Sequence, residues 1–273
     1  MKIQSSGERN LILFFLITFS WSWFFWLLQI WGLNFYVAPF GPFVAAFLLT
    51  YLEESYGGIK KLLLKGFDPR IDKVWYLPIF LLWPIIAGFS ILAASLTGES
   101  IPEPAVLFRP WLILWNFAYI FFLGGPLQEE FGWRGYALPR LQARYSALVS
   151  SVILGVIWAV WHFPLNFMYW LGPQYEIGLA MFMSTIILFV FVSIFFTWIY
   201  NNTGRSIFAV LTFHTMLNLS TYVVFPVFET ETGPMYYFFS IIVLAIIILA
   251  IFGAKRLVRE KGPTKTKRSD GPL

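Results

Sequence analysis

Two adjacent carboxylates and a guanidinium stand beside an apolar stretch in the segment Gln128–Arg134, whose sequence is QEEFGWR. Ionisable groups next to long apolar runs are costly to bury and usually serve a function. A carboxylate in such surroundings can act as a general base on water. The segment is therefore the first place in the chain to look for chemistry.

Helical geometry separates the two carboxylates. Glu130 precedes Arg134 by four residues, the spacing and order that favour an ion pair on one helix face. Glu129 lies roughly 140° around the helix from Arg134 and cannot share that face. We therefore predict a structural pair between Glu130 and Arg134, and a free Glu129 that faces a cavity.

The chain has two histidines, and both lie in apolar stretches. His214 precedes Asn218 by four residues, so that an imidazole and a carboxamide share a helix face, where they can polarise a carbonyl group and stabilise an oxyanion. Trp158 precedes His162 by the same spacing, and its indole is predicted to pack beside the imidazole as a structural residue. His162, His214 and Asn218 are thus candidate catalytic residues together with Glu129.

Other hydrolytic chemistries lack their residues. The sequence contains no cysteine, no Gly-x-Ser-x-Gly and no His-Glu-x-x-His. Two mechanisms remain, and spacing does not separate them. In one, Glu129 is a general base on water without a metal; in the other, Glu129, His162 and His214 hold a divalent metal such as Zn²⁺.

An interruption of the fourth helical span is predicted immediately before the carboxylates. Gly124 and Gly125 precede Pro126, and proline suits the first position of a helix but not its interior. An unbroken helix would leave Glu129 and His162 at different depths in a membrane. Non-helical backbone at that depth is tolerated where it lines a wet cavity, which again points to a pocket here.

Composition places the candidate residues in a membrane protein. Hydrophobic residues make up 59% and charged residues 12% of the 273-residue chain. Apolar runs of about 20 residues are the length of a membrane-spanning helix. We predict an all-α bundle of eight transmembrane helices at Leu11–Trp31, Phe35–Leu52, Val74–Leu96, Trp111–Leu123 running on into the charged segment, Ala147–Trp170, Leu179–Tyr200, Ile207–Phe225 and Tyr236–Phe252.

The distribution of lysine and arginine predicts that both termini are cytoplasmic, because nearly all basic residues then fall inside. Residues 1–273 are predicted to form a single membrane-embedded domain of a multi-pass cell-membrane protein, with a motif-bearing core at about 111–220. Residues 58–67 are predicted to form either a short amphipathic helix on the membrane surface or an ordinary basic loop. Residues 253–273 form a flexible basic tail that suits anionic lipid headgroups, and nucleic acid is not an expected partner.

In this order, Glu129-Glu130-x-x-x-Arg134, Trp158-x-x-x-His162 and His214-x-x-x-Asn218 resemble the motifs of the CPBP family of intramembrane proteases. This family includes the CAAX prenyl endopeptidases and the bacteriocin-immunity Abi proteins. Trp158 stands where the family commonly has phenylalanine. The resemblance implies that Glu129 activates water beside His162, that His214 and Asn218 hold the oxyanion, and that the enzyme is a metallo- or glutamate-type endopeptidase.

The working hypothesis is therefore an intramembrane endopeptidase acting on a peptide or a prenylated protein. CAAX-type proteins and other peptide precursors are both candidate substrates. Two other functions stay open: a proton-coupled transporter that uses Glu129 and the histidines as a relay, and a non-catalytic membrane scaffold of the same fold.

Overall fold

A computed structural model describes residues 2–29, 32–33, 35–165 and 175–259. Within these ranges the chain is helical and contains no strand. Its α-helices are α1 Lys2–Gln29, α2 Gly41–Phe67, α3 Tyr76–Leu96, α4 Trp111–Leu123, α5 Pro126–Gly132, α6 Leu138–Gln142, α7 Ala147–Trp161, α8 Tyr175–Asn202, α9 Ile207–Asn218 and α10 Gly233–Phe252. The all-α prediction is confirmed.

Six helical segments in the described ranges are long and apolar enough to cross a membrane, and a bent pair brings the number to seven. The segments are Gly7–Gln29, Lys73–Leu96, Ala147–Leu165, Leu179–Asn202, Ile207–Glu229 and Gly233–Phe252. The chain is therefore a multi-pass membrane protein. The remaining predicted span, Phe35–Leu52, corresponds to the first part of α2, which is not among these segments.

Helix α2 joins two elements that the sequence suggested as separate. It continues from the apolar span into the predicted amphipathic segment across a non-helical residue, Ser55, whose φ is 56°. Beyond this residue Gly58, Leu62 and Gly66 are buried at a spacing of four. One face of the segment therefore packs on the protein, as an amphipathic helix should.

Helix α5 is held by close packing against α2. A β-carbon on Gly132 would lie 2.4 Å from Cβ of Pro42, and one on Gly66 would lie 2.1 Å from Cζ of Phe131. At both points the two helices approach so closely that only glycine fits. Helices α7 and α8 meet in the same way at Gly155, where a β-carbon would lie 2.6 Å from Cα of Val190.

A polar cluster ties three further elements together near Glu53 on α2. The Glu53 carboxylate accepts hydrogen bonds from Asn10 at 2.7 Å and from the Tyr136 hydroxyl at 2.6 Å, and it pairs with Arg140. The Arg140 guanidinium also lies over the Tyr136 ring at 3.4 Å. Because Tyr136 and Arg140 follow α5 directly, the cluster anchors the segment that carries the candidate carboxylates.

The beginning of the predicted basic tail is docked on the bundle. The backbone amides of Ala147 and Leu148 donate to the carbonyls of Lys255 and Ala254, at 2.9 and 3.0 Å, and Leu257 is fully buried. Residues 260–273, which include Lys265, Lys267 and Arg268, lie outside the described residues, as do Trp31 and residues 166–170 at the predicted end of the fifth span.

Candidate active site

The predicted break before the carboxylates is confirmed. Helix α4 ends at Leu123 and α5 begins at Pro126, and the two segments are bent by 42°. Gly125 between them has a φ of 113°, a conformation that favours glycine. The Gly125 amide donates to Oε1 of Gln128 at 2.7 Å, which closes the first turn of α5.

The bend carries Glu129 to the wall of a cavity of about 280 Å³. Glu129, His162, His214 and Asn218 all line it, together with Trp158. These side chains come from the first turn of α5, the end of α7 and the last turns of α9. The structure thus brings all four predicted catalytic residues to one cavity, although their catalytic roles stay predictions.

Glu129 has a partner that the sequence did not indicate. Its side chain is 5% exposed, and its Oε2 accepts a hydrogen bond from Nε1 of Trp158 at 2.7 Å. Its other oxygen, Oε1, would lie 3.0 Å from a β-carbon on Gly125. One carboxylate oxygen is therefore anchored by the indole, while the other has no such hydrogen bond among the described residues.

Trp158 also orients His162. The rings of Trp158 and His162 meet edge to face at 6.0 Å between centroids, so the predicted packing is present. In addition, Nδ1 of His162 lies 2.9 Å from the carbonyl oxygen of Trp158. A carbonyl oxygen only accepts, so Nδ1 carries the proton and Nε2 is left as a hydrogen-bond acceptor.

Glu130 pairs with Arg134, as the spacing predicts. Nη1 of Arg134 donates to Oε1 of Glu130 at 2.9 Å, and both side chains are fully buried. The same oxygen lies 2.8 Å from Nδ1 of His214, a contact that the sequence did not reveal. Glu130 therefore holds Arg134 on the same stretch of helix and also orients the ring of His214. Nε2 of His214 is not used in this contact and can interact with a group in the cavity.

Asn218 connects α9 to the α4–α5 break. Its Nδ2 donates to the carbonyl of Gly124 at 3.2 Å. An amide nitrogen has two protons, so the second remains for another acceptor in the cavity. His214 and Asn218 do share the α9 face that their spacing predicts.

Part of the remaining lining comes from helices with no candidate motif. Leu188, Phe189 and Val192 on α8 and Tyr237 on α10 belong to this part of the wall. Their sequence signal is that of ordinary apolar spans. No spacing rule within one helix could have assigned them to this cavity.

Glu129, His162 and His214 are the three residues that the metal hypothesis requires as ligands. Within the described ranges, no three His, Cys, Asp or Glu side chains are grouped as ligands of a metal ion. As placed, Glu129, His162 and His214 therefore do not form the ligand set that Zn²⁺ takes, with nitrogen and oxygen donors at about 2.0–2.2 Å.

Comparison with known proteins agrees with the order of the motifs. Residues 110–220 match the family described as type II CAAX prenyl endopeptidase Rce1-like. The chain is also 29% identical over 270 residues to the protein named CAAX prenyl protease 2 of Methanococcus maripaludis, covering 88% of this chain and 95% of that protein. The matched segment holds all the cavity residues that carry a motif. The two comparisons thus support the resemblance to the CPBP family of proteases that the motifs indicate.

Proposed function

We propose that the protein is an intramembrane endopeptidase that hydrolyses a peptide bond in prenylated proteins of the CAAX type. The observation that carries the proposal is a buried carboxylate, Glu129, in a cavity lined also by both histidines and Asn218, among helices apolar enough to cross a membrane. The name of the Methanococcus relative supports the substrate class. The matched family favours neither a transporter nor a scaffold.

In the proposed reaction Glu129 takes a proton from water, and the hydroxide oxygen attacks the carbonyl carbon of the scissile bond. Nε2 of His162 accepts the water's other proton in a hydrogen bond and so orients the nucleophile. The free Nδ2 proton of Asn218 is donated to the oxyanion. Nε2 of His214 can add a second donor when its ring carries two protons. Collapse of the intermediate breaks the C–N bond, and Glu129 returns its proton to the leaving amine.

The proposed topology has eight crossings, with the first part of α2 as the additional one, and both termini in the cytoplasm. Lys60, Lys61 and Lys65 at the end of α2 then lie inside, and Glu99 and Glu231 lie outside. We also propose that residues 1–273 form a single domain in the cell membrane.

Labelling of single cysteines placed at Gly57 and Glu103 tests the topology in intact cells. Access to position 103 alone from outside is the expected result, and access to both from one side contradicts it.

The catalytic proposal is tested by Glu129→Gln in purified protein with a quenched, farnesylated CAAX peptide. General-base catalysis contributes roughly 10²–10⁴-fold, so turnover should fall by at least that lower figure. The matched control is Glu103→Gln, the same change at an exposed loop residue, which should leave turnover unchanged. Equal turnover by Glu129→Gln and the unaltered enzyme would remove Glu129 from the mechanism.

The form of the mechanism that we propose uses no metal. It rests on Glu129, one oxygen of which is held by Trp158, and on His162, whose Nε2 can accept a hydrogen bond from water in the same cavity. Dialysis against a strong chelator should leave the rate of peptide cleavage unchanged. Loss of activity that Zn²⁺ restores would replace the glutamate mechanism with a metal-dependent one.

A further inference from the structure

Two hydroxyl groups in the cavity that holds Glu129 take no part in the proposed reaction. Oγ1 of Thr221 lies 3.0 Å from the phenolic oxygen of Tyr237, and both residues line the cavity. Thr221 is 1% exposed and Tyr237 is 2% exposed. Burying a hydroxyl group is costly unless it is hydrogen-bonded. Thr221 and Tyr237, which we call the hydroxyl pair, meet that requirement for each other.

Two local features of the chain bring the hydroxyl pair to the cavity. Helix α9 ends at Asn218 and continues directly into a π-helical turn, Leu219–Val224, that carries Thr221. Such turns are rare and occur frequently at functional sites. Along the whole of α10, Tyr237 is the one residue with a polar side chain on the buried face, which consists of Gly233, Tyr237, Ile241, Ala245 and Ile248. An apolar side chain could fill this position without burying a hydroxyl group.

The hydroxyl pair has one proton more than its own hydrogen bond uses. Each hydroxyl group carries a single proton and can also accept through its lone pairs. One proton joins the two oxygens, whichever residue donates it. Among the described residues, neither hydroxyl group has a second hydrogen-bond partner. The other proton is therefore available to an acceptor in the cavity.

The hydroxyl pair lies close to Asn218 along the chain. Thr221 follows Asn218 by three residues, which is about 4.5 Å at the rise of an α-helix. The Tyr237 ring is held edge to face against Phe228, at 6.0 Å between centroids. An extended peptide advances by about 3.3 Å per residue. A peptide whose scissile carbonyl is held by Asn218 would therefore bring another oxygen to the hydroxyl pair within one or two residues.

We propose that the hydroxyl pair binds an oxygen of the substrate peptide close to the scissile bond and so positions the peptide in the cavity. The acceptor is a backbone carbonyl or the terminal carboxylate, which offer the same kind of oxygen. This inference rests on the proposed function and adds to it a site that holds the peptide backbone. A pair that only joined α9 to α10 would contribute to thermal stability and would leave KM unchanged.

The first test removes both hydroxyl groups with little change in side-chain volume, through Thr221→Val combined with Tyr237→Phe. Loss of one hydrogen bond to the peptide should raise KM for a farnesylated peptide roughly two- to tenfold. We expect kcat to change little, since the bond is present both before and during the reaction. The matched control is Thr212→Val with Tyr236→Phe, the same changes on α9 and α10 at residues that do not line the cavity. Equal KM values for the two double variants would overturn the inference.

The second test identifies the acceptor. In one set of farnesylated peptides, each amide within two residues of the scissile bond is replaced in turn by a trans alkene, which removes one carbonyl oxygen. In another peptide a terminal alcohol replaces the carboxylate. One analogue should raise KM in the unaltered protein and cause no further rise without the hydroxyl pair, because groups in direct contact are not additive. An alkene analogue with this behaviour identifies a backbone carbonyl, and the alcohol identifies the carboxylate. If every analogue raises KM equally with and without the hydroxyl pair, the inference is refuted.

A binding measurement separates the inference from the proposed function. The dissociation constant of the unmodified farnesylated peptide is measured by calorimetry in detergent, for Glu129→Gln with and without the hydroxyl pair. If the unaltered protein cleaves no peptide but the hydroxyl pair strengthens binding, only the proposed function fails. If the unaltered protein cleaves the peptide and the hydroxyl pair changes neither KM nor the dissociation constant, only the role of the hydroxyl pair fails. Absence of both cleavage and binding would overturn the two together.

Discussion

The Glu130→Gln substitution tests the division of labour between the two adjacent carboxylates. Glu130 and Arg134 are both fully buried and joined at 2.9 Å. Nε and Nη2 of Arg134 have no hydrogen-bond acceptor among the described residues. The guanidinium carbon lies over the rings of Trp158 and Phe196, at 4.6 and 4.2 Å from their centroids. Glu130 is thus the carboxylate that directly compensates the buried Arg134 charge.

The expected loss of stability follows from that burial. Removing one partner of a buried ion pair costs about 3–5 kcal/mol, because the other charge stays buried without compensation. A glutamine oxygen can still accept from Arg134, so we expect the lower end, about 3 kcal/mol. In a chain of this size each kcal/mol lowers the unfolding midpoint by roughly 2–4 °C, which gives a decrease of roughly 6–12 °C.

The assay is thermal unfolding of purified protein in detergent, followed by tryptophan fluorescence. Glu129→Gln is the matched control, since it makes the same change one residue earlier at a carboxylate that accepts a hydrogen bond from Trp158 and has no ion pair with Arg134. That variant should unfold at or above the midpoint of the unaltered protein. Equal midpoints for Glu130→Gln and Glu129→Gln would refute the assignment of Glu130 as the structural carboxylate.

Two further substitutions test the positioning of the site. Trp158→Phe removes the donor to Glu129, and loss of a hydrogen bond to a charged group, roughly 1.5–3 kcal/mol, should lower kcat about ten- to a hundredfold. Steady-state kinetics should show KM unchanged, whereas an unchanged kcat would mean that the indole does not orient the carboxylate. Gly155→Ala forces a β-carbon against backbone atoms of α8 and should destabilise the protein by about 1–3 kcal/mol. Gly57→Ala, where nothing lies within 4 Å of the new carbon, is its control in thermal unfolding and should match the unaltered protein.

Features that depend on neighbours in the chain could be predicted from the sequence. The Glu130–Arg134 pair follows from a spacing of four on one helix, and the break at Gly125 follows from glycine and proline chemistry. The membrane helices could also be predicted from local sequence. The hydrocarbon of a bilayer excludes charge along a whole span, so each span is an uninterrupted apolar run. Ser55 shows the limit of this reasoning, because the sequence predicted two separate elements on either side of it and not one helix, α2, that continues across it.

The sequence by itself determined which residue types are present for hydrolysis, and which pairs share a helix face. Only the tertiary structure decided which atoms meet between helices. It placed the Trp158 indole on Glu129 and joined Glu130 to His214 across 84 positions of the chain. The physical reason is that periodicity shows which face of a helix is apolar or polar, whereas the helix packed against that face is chosen by side-chain shapes from distant parts of the chain.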